Sequence, residues 1–193
     1  ISGFGGMDNP EPGTPVARAL RKGWRGNLSI TALGYDNWMT GAWSPGLCDR
    51  LAITPPLIDG DAAVLARILE LNKGKSFSTL IPCLDLEVKV YARLAQQLKA
   101  SGVNTLLPSI QAIEACAKPS LPDFCGSNGI LTPRTIYLER PTDIEYYAGA
   151  FSYPLMVKGA VIGAYKVDNL QSAIEAATNL NLQWGTGFIV QEL

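Results

Sequence analysis

Lys158 ends an apolar run, Tyr153-Pro-Leu-Met-Val-Lys158-Gly159, and Gly163-Ala-Tyr165 follows at once. Lysine is a compact point charge on a flexible stem, suited to phosphate. Gly159 and Gly163 bracket a turn in which positive φ angles are accessible and a polyphosphate meets no Cβ atoms. The plainer reading of the same residues is a Lys-Gly hairpin. A second group is the glycine loop Gly3-Phe-Gly5-Gly6-Met-Asp8-Asn9-Pro10-Glu-Pro12-Gly13. It lies at the carboxyl end of a first strand, where open α/β sheets bind ligands, although Asp8, Asn9 and the prolines also suit a tight turn. A third is Asp85 and Glu87, two carboxylates at the end of a strand. They either reach a ligand or serve the following helix, Asp85 as its cap and Glu87 in its first turn. The last residues, Val190-Gln191-Glu192-Leu193, end a further strand on polar groups, so that the final third is a layout for holding a nucleotide.

These groups need a scaffold, and the hydrophobic pattern predicts one. Strands are expected at the N-terminus, at 28–33, 77–81, 105–107 and 153–157, and in the segment closing the chain. Helices are expected from Pro15 onward, over 61–71, over 86–100 and over 169–180, where Leu170, Ala173, Ile174 and Ala177 share a face. A short helix starts at Pro108. The alternation of strand and helix predicts a parallel sheet with covering helices. Tyr35 to Ile58, with Trp38 and Trp43, lacks periodicity and reads as a packed irregular loop or a ligand wall. No repeat or low-complexity tract is visible, and the boundary between two domains is expected at 115/116.

Composition narrows the field. The chain has 193 residues, 47% of them hydrophobic, enough for a sizeable core. Mean hydropathy is +0.12. Sixteen basic and seventeen acidic residues give a net charge of −1, which offers no reason to expect nucleic acid or an anionic membrane as partner. No run approaches the roughly 20 apolar residues of a membrane span, so the cytoplasm is the expected location. There is no histidine, which excludes Ser-His-Asp and Cys-His chemistry within the chain. Cys48, Cys83, Cys116 and Cys125 are too dispersed for a metal knuckle and read as small buried apolar residues. A dinucleotide fingerprint starting at Gly3 would need glycine where Asp8 stands, and Leu33-Gly34 supplies no acidic residue at the end of the second strand.

In this order the landmarks resemble the ATP-grasp superfamily. The strand bearing Lys158 with its turn, the next strand, a helix, and a strand ending in Gln191-Glu192-Leu193 are similar to the first half of an ATP-grasp domain. Cys116-Ala-Lys118-Pro-Ser-Leu121, with Gly129-Ile-Leu-Thr-Pro133 after it, looks like the passage carrying that superfamily's other nucleotide-side lysine. The N-terminal Asp-Asn-Pro-x-Pro-Gly run is similar to the pre-ATP-grasp domain of stand-alone proteins related to the large chain of carbamoyl-phosphate synthase. The fold class implied is α/β: a Rossmann-like pre-ATP-grasp domain over residues 1–115, then the N-terminal α+β subdomain of an ATP-grasp fold over 116–193.

The resemblance implies an ATP-dependent carboxylate–amine, carbamate or bicarbonate ligase working through an acyl phosphate. Its implied partners are ATP, Mg²⁺ and a small carboxylate or amine; a homo-oligomer is compatible with it. Lys118 and Lys158 would neutralise charge on the phosphates, with Gly159 and Gly163 covering them. Gln191 or Glu192 would accept from the adenine amino group, and the Leu193 backbone would meet the ring. Gly5, Gly6, Asp8 and Asp85 or Glu87 would face the acceptor substrate. The turn after Lys158 is shorter than in most of the superfamily. The metal ligands belong beyond residue 193, so the expectation is a fragment truncated at the hinge and inactive alone. A non-catalytic nucleotide-binding module stays open as the alternative, and a dinucleotide oxidoreductase as a weaker one.

Overall fold

The computed structural model describes every residue except 7–9, 75–76, 161 and 186, and every described side chain except those of Ala148 and Trp184. The chain forms two compact units, Ile1–Ile110 and Gln111–Leu193. Among the described residues no helix is long and apolar enough to cross a membrane.

The first unit holds helix α1 (Gly13–Gly23), strands β1 (Thr31–Gly34) and β2 (Arg50–Ile53), α2 (Asp61–Asn72), β3 (Thr79–Leu80), α3 (Asp85–Ala100) and β4 (Asn104–Thr105). β1 pairs with β2 and β3 with β4, both in parallel. The N-terminal residues join the two pairs. Leu33 N–H donates to Ile1 O at 2.7 Å, and Ser2 N–H donates to Ile81 O at 3.2 Å. The order is therefore β2, β1, N-terminal segment, β3, β4, that of a doubly wound α/β fold. Side chains alternate across it, as the pleat requires. Ala32 packs with Phe4, Ala17 and Ile30 on one face, and Leu33 with Val64, Ile68, Leu94 and Leu98 on the other.

Local chemistry explains the departures from expectation. α1 starts at Gly13, ahead of Pro15, and its start lies so close to the N-terminal segment that a Cβ at Gly13 would be 1.9 Å from Ser2 O. β2 lies inside the segment read as irregular, its Arg50-Leu-Ala-Ile53 run being too short for a periodic signal. Strands expected at 28–33, 77–81 and 105–107 are shorter or shifted, as element ends set by pairing usually are.

The second unit is an antiparallel α+β arrangement, as the family resemblance implied, where the strand–helix alternation alone suggested a parallel sheet. After α4 (Ile110–Ala115) and α5 (Leu121–Ser127) come β5 (Thr135–Leu138), the short α6 (Ile144–Tyr147), β6 (Leu155–Gly159), β7 (Ala164–Val167), α7 (Leu170–Trp184) and β8 (Phe188–Glu192). They form a four-stranded sheet ordered β5-β8-β6-β7. Its pairings β5–β8, β6–β8 and β6–β7 are all antiparallel. β6 and β7 can pair this way because a tight turn joins them, whereas parallel neighbours need a long crossover.

α7 is capped at its start by Asn169, whose side chain accepts from Ser172 N–H while Ser172 Oγ takes the Asn169 N–H. It runs past the expected Leu180 and ends at Gly185, φ 61°. Its buried stripe of Ala173, Ala176, Ala177 and Leu180 packs on Leu155, Val157, Val167, Phe188 and Val190. This layer fixes one face of the sheet and leaves the other face to carry polar groups.

Candidate functional site

On that second face the strands bring distant residues together. Leu155 and Val157 of β6 point into the α7 core, so Met156 and Lys158 point the opposite way. Lys158 was expected to project past the end of a strand. It instead lies within β6, paired with Ala164 on one side and Ile189 on the other, and stands out from the sheet face. Its Nζ donates to Gln191 Oε1 at 2.5 Å. Gln191 Nε2 donates to Thr135 Oγ1 at 2.9 Å, and the Thr135 hydroxyl donates to Pro133 O at 2.8 Å.

A cavity of about 180 Å³ opens over this row, lined by Lys118, Leu121, Pro122, Thr132, Pro133, Thr135, Lys158, Ile189 and Gln191. The segment carrying α5 thus brings Lys118 to the same cavity as Lys158. Gly159 serves the hairpin directly: its N–H donates to Gly163 O at 2.9 Å, and a Cβ on it would lie 2.1 Å from Ile162 O. Gly163 has φ +92°. Both glycines therefore have a structural duty, and the Gly159 amide is already engaged.

The closing residues separate. Ile189 and Gln191 line the cavity while Phe188 and Val190 face α7, so alternation places Glu192 in the row away from the lysines. Leu193 is exposed. Thr135, Thr132 and Ile189 did not emerge from the sequence reading. The β-branched and aromatic run Thr135-Ile-Tyr-Leu138 behind Pro133 was the one signal for β5.

In the first unit, the carboxyl ends of the parallel strands carry a buried polar cluster. Ser2 Oγ donates to Glu87 Oε2, and the Tyr35 hydroxyl donates to Glu87 Oε1 at 2.6 Å. Cys83 N–H donates to Ser2 Oγ at 2.9 Å. Glu87 is 3% exposed. Burial pushes its carboxyl above the ordinary glutamate value, and the nearby Glu11 charge adds to this, against the hydrogen bonds from Ser2 and Tyr35. Burial likewise raises Tyr35, and its bond to Glu87 raises it further.

The glycine loop is partly occupied by the chain itself. Gly5 N–H donates to Glu11 Oε2 at 2.6 Å, and Gly6 is exposed beside it. Asp8 lies outside the described residues. Asp85 does not cap α3: Leu84 is the N-cap, no side chain bonds the helix end, and Asp85 is the exposed first helical residue. Glu87 exceeds its expected first-turn role, being buried among hydroxyls. Trp38 and Trp43 are exposed, with Trp43 Nε1 donating to Asn37 O at 2.8 Å. The four thiols are free; Cys125 is buried, but Cys116 is exposed and departs from the buried apolar role expected of it.

Neither site fits a magnesium ion. No carboxylate lines the cavity over Lys158, and among the described residues no group of three or more Asp, Glu, Cys or His could hold a metal.

No family model matches the sequence, and no curated protein sequence matches it. Solved structures do match in fold. The chain is similar to the L-amino acid ligase from Bacillus licheniformis, with a TM-score of 0.65 and 19% identity over 95% of this chain and 42% of that one. It is similar to N5-carboxyaminoimidazole ribonucleotide synthetase from Thermus thermophilus, with a TM-score of 0.62 and 19% identity over 100% of this chain and 46% of that one. It is also similar to the biotin carboxylase domain of the Hydrogenobacter thermophilus 2-oxoglutarate carboxylase, with a TM-score of 0.63 and 14% identity over 94% of this chain and 42% of that one. That structure was solved with MgADP, ADP and bicarbonate. The chain spans less than half the length of each of these proteins.

Proposed function

We propose that this chain, which has the fold of the N-terminal part of ATP-grasp proteins, is the ATP-binding portion of a ligase that joins a carboxylate, carbamate or bicarbonate to an amine through an acyl phosphate. The observation that carries the reading is the meeting of Lys118 and Lys158, from separate segments, at one cavity on the free face of an antiparallel sheet. Two ammonium groups converging on a cavity otherwise lined by apolar and neutral polar side chains match a polyphosphate, whose negative charge must be balanced as it is desolvated. In phosphoryl transfer, most of what a protein supplies is position and electrostatic stabilisation, and rigid β6 supplies position.

The apolar wall of Leu121, Pro122 and Ile189 supplies a surface for a nucleoside base. Gln191 already gives its amide oxygen to Lys158, which leaves backbone groups after β8 as the natural readers of that base. Glu192, the other candidate for this task, is the last residue of β8 and stands in the row away from the lysines, so the Leu193 backbone is the better placed of the two. Residues 116–193 are on this reading the nucleotide subdomain, and residues 1–115 the pre-ATP-grasp domain. Within the latter, Gly5, Gly6 and Asp8 would meet the acceptor, as would Asp85 or Glu87. The Gly5 amide is held by the Glu11 carboxylate, and an anionic acceptor would displace it. No carboxylate lines the cavity over Lys158, so magnesium bridging the phosphates would take its carboxylate ligands from outside that lining.

The test is calorimetric titration of the chain with ATP, alongside the Lys158→Ala and Lys118→Ala variants. Binding that both variants weaken supports the reading. Equal binding by the variants and the parent chain would sink it. ATP binding without phosphate release from the longest protein containing this chain favours the non-catalytic module instead.

A further inference from the structure

Thr135, Gln191 and Lys158 lie on three adjacent strands, and their register explains why they touch. Thr135 is directly opposite Gln191 across β5 and β8. Lys158 is opposite Ile189 across β6 and β8, so Gln191, two residues on, is its diagonal neighbour on the same face. Such diagonal pairs are within reach of long side chains.

The hydrogen bonds along this row run in one direction. The Thr135 hydroxyl has one proton, and it is given to Pro133 O. The Thr135 oxygen can then only accept, so Gln191 must turn its NH₂ toward it, as it does at 2.9 Å. That leaves the Gln191 oxygen facing Lys158, whose ammonium can only donate. Turning the amide over would set NH₂ against ammonium and oxygen against an oxygen with no proton to offer. The ammonium at one end of the row and the hydroxyl at the other therefore demand the same amide orientation, and the Thr135 contact holds Gln191 in place beneath Lys158.

What it meets is neutral. A carboxylate at position 191 would hold the lysine equally well and cancel its charge; an amide oxygen holds it and leaves the charge intact. Among the described residues Lys158 makes no ion pair. We infer that Thr135 is a positioning residue for Lys158, acting through Gln191, and that this relay keeps Lys158 fixed and unneutralised so that the cavity selects nucleoside polyphosphates over uncharged nucleosides. The inference rests on the nucleotide reading above and specifies which part of the nucleotide the site weighs.

The experiment compares the chain with Thr135→Val, Thr135→Ser and Gln191→Glu, titrating each with ATP and with adenosine. Melting temperatures are measured in parallel, as are the side-chain amide signals of Gln191 by ¹⁵N NMR. Thr135→Val, which keeps the shape and loses the hydroxyl, is expected to weaken ATP binding by about three- to tenfold, and Thr135→Ser to restore it to within about twofold. Gln191→Glu is expected to weaken ATP by more than about tenfold while adenosine changes far less. The inference is overturned if Thr135→Val binds ATP like the parent, if valine and serine are equally impaired, or if Gln191→Glu lowers ATP and adenosine binding alike. If the parent binds no ATP, the nucleotide reading and the selectivity fail together. The relay is then judged by NMR alone: Gln191 amide protons protected from exchange in the parent and in Thr135→Ser, but not in Thr135→Val, retain Thr135 as a positioning residue. Equal protection in all three removes it.

Discussion

Ser2 and Glu87 are 85 residues apart in sequence, yet the Ser2 hydroxyl donates directly into the buried Glu87 carboxylate. The bond ties the N-terminal segment to the start of α3, and Tyr35 adds a second donor from the end of β1. The N-terminal segment and the end of β1 are thus fastened to one acidic group at the start of α3.

That group makes stability depend on pH in a specific direction. Burial raises the Glu87 carboxyl above its unfolded value of 4.5. A raised carboxyl contributes stability that is complete below the unfolded value and is lost as pH rises from there through the folded value. The groups influencing it are Ser2, Tyr35, Glu11 and the N-terminal amine, with Tyr91 and Cys83 beside it. Asp49 and Asp61, both lowered by hydrogen bonds, act with the opposite sign and at pH values below the ordinary aspartate range. Burial lowers the Ile1 amine below 8.0, which makes stability rise with pH in the same window, so Glu87 is read as a difference: urea unfolding from about pH 5 to 8 is expected to show the parent losing stability relative to Glu87→Gln as pH rises. An unchanged slope would mean that Glu87 is ionised without penalty.

If Lys118 and Lys158 grip one polyphosphate, their contributions are coupled. Each alanine variant is expected to lose about tenfold or more in ATP affinity, and the double variant to lose less than the product of the two. Strict multiplicativity in the calorimetric cycle would place the lysines on independent ligands.

Two glycines are expected to tolerate no side chain. A Cβ at Gly159 meets Ile162 O at 2.1 Å, and one at Gly13 meets Ser2 O at 1.9 Å, both backbone atoms that cannot swing aside. Gly159→Ala and Gly13→Ala are each expected to cost about 2 kcal/mol or more. Gly23→Ala, which meets nothing within 4 Å, serves as the control and is expected to change the melting temperature little.

Phe188 is fully buried against α7. Phe188→Ala is expected to cost about 3–5 kcal/mol. Denaturant unfolding followed by hydrogen exchange would assign the loss to residues 111–193; an equal loss of protection in the first unit would show instead that the two unfold together.

How far this was readable beforehand differs from residue to residue. α2, α3 and α7 announced themselves because burial on one helical face leaves a periodic trace in sequence. Lys158 stood out because a charge closing a run of large apolar residues is conspicuous, and Lys118 because of its motif. The direction in which Lys158 points was not legible: it depends on pairing with β7 and β8, and register is a property of partners. β2 and β5 escaped for a related reason. Four-residue strands owe their existence to a neighbour's free edge, and neither Arg50-Leu-Ala-Ile53 nor Thr135-Ile-Tyr-Leu138 carries enough alternation to declare itself. Asp85 had the composition of a cap, but the chain bends one residue earlier, at Leu84, and a cap is decided by backbone angles that composition does not encode.

The position of β8 also bears on how the second unit is made. It is the last strand of its sheet to be synthesised, yet it sits between β5 and β6 and is the partner on which β5 depends. While the chain grows from the ribosome, the β6–β7 hairpin can close at once, but β5 must wait with its backbone groups in water until Phe188–Glu192 has emerged. Thr135 and Lys158 therefore come to share Gln191 only after β8 has emerged. A chain ended at Trp184 is expected to keep the first unit and the hairpin and to leave Thr135–Leu138 unprotected in hydrogen exchange; protection there would show that β5 has found another partner.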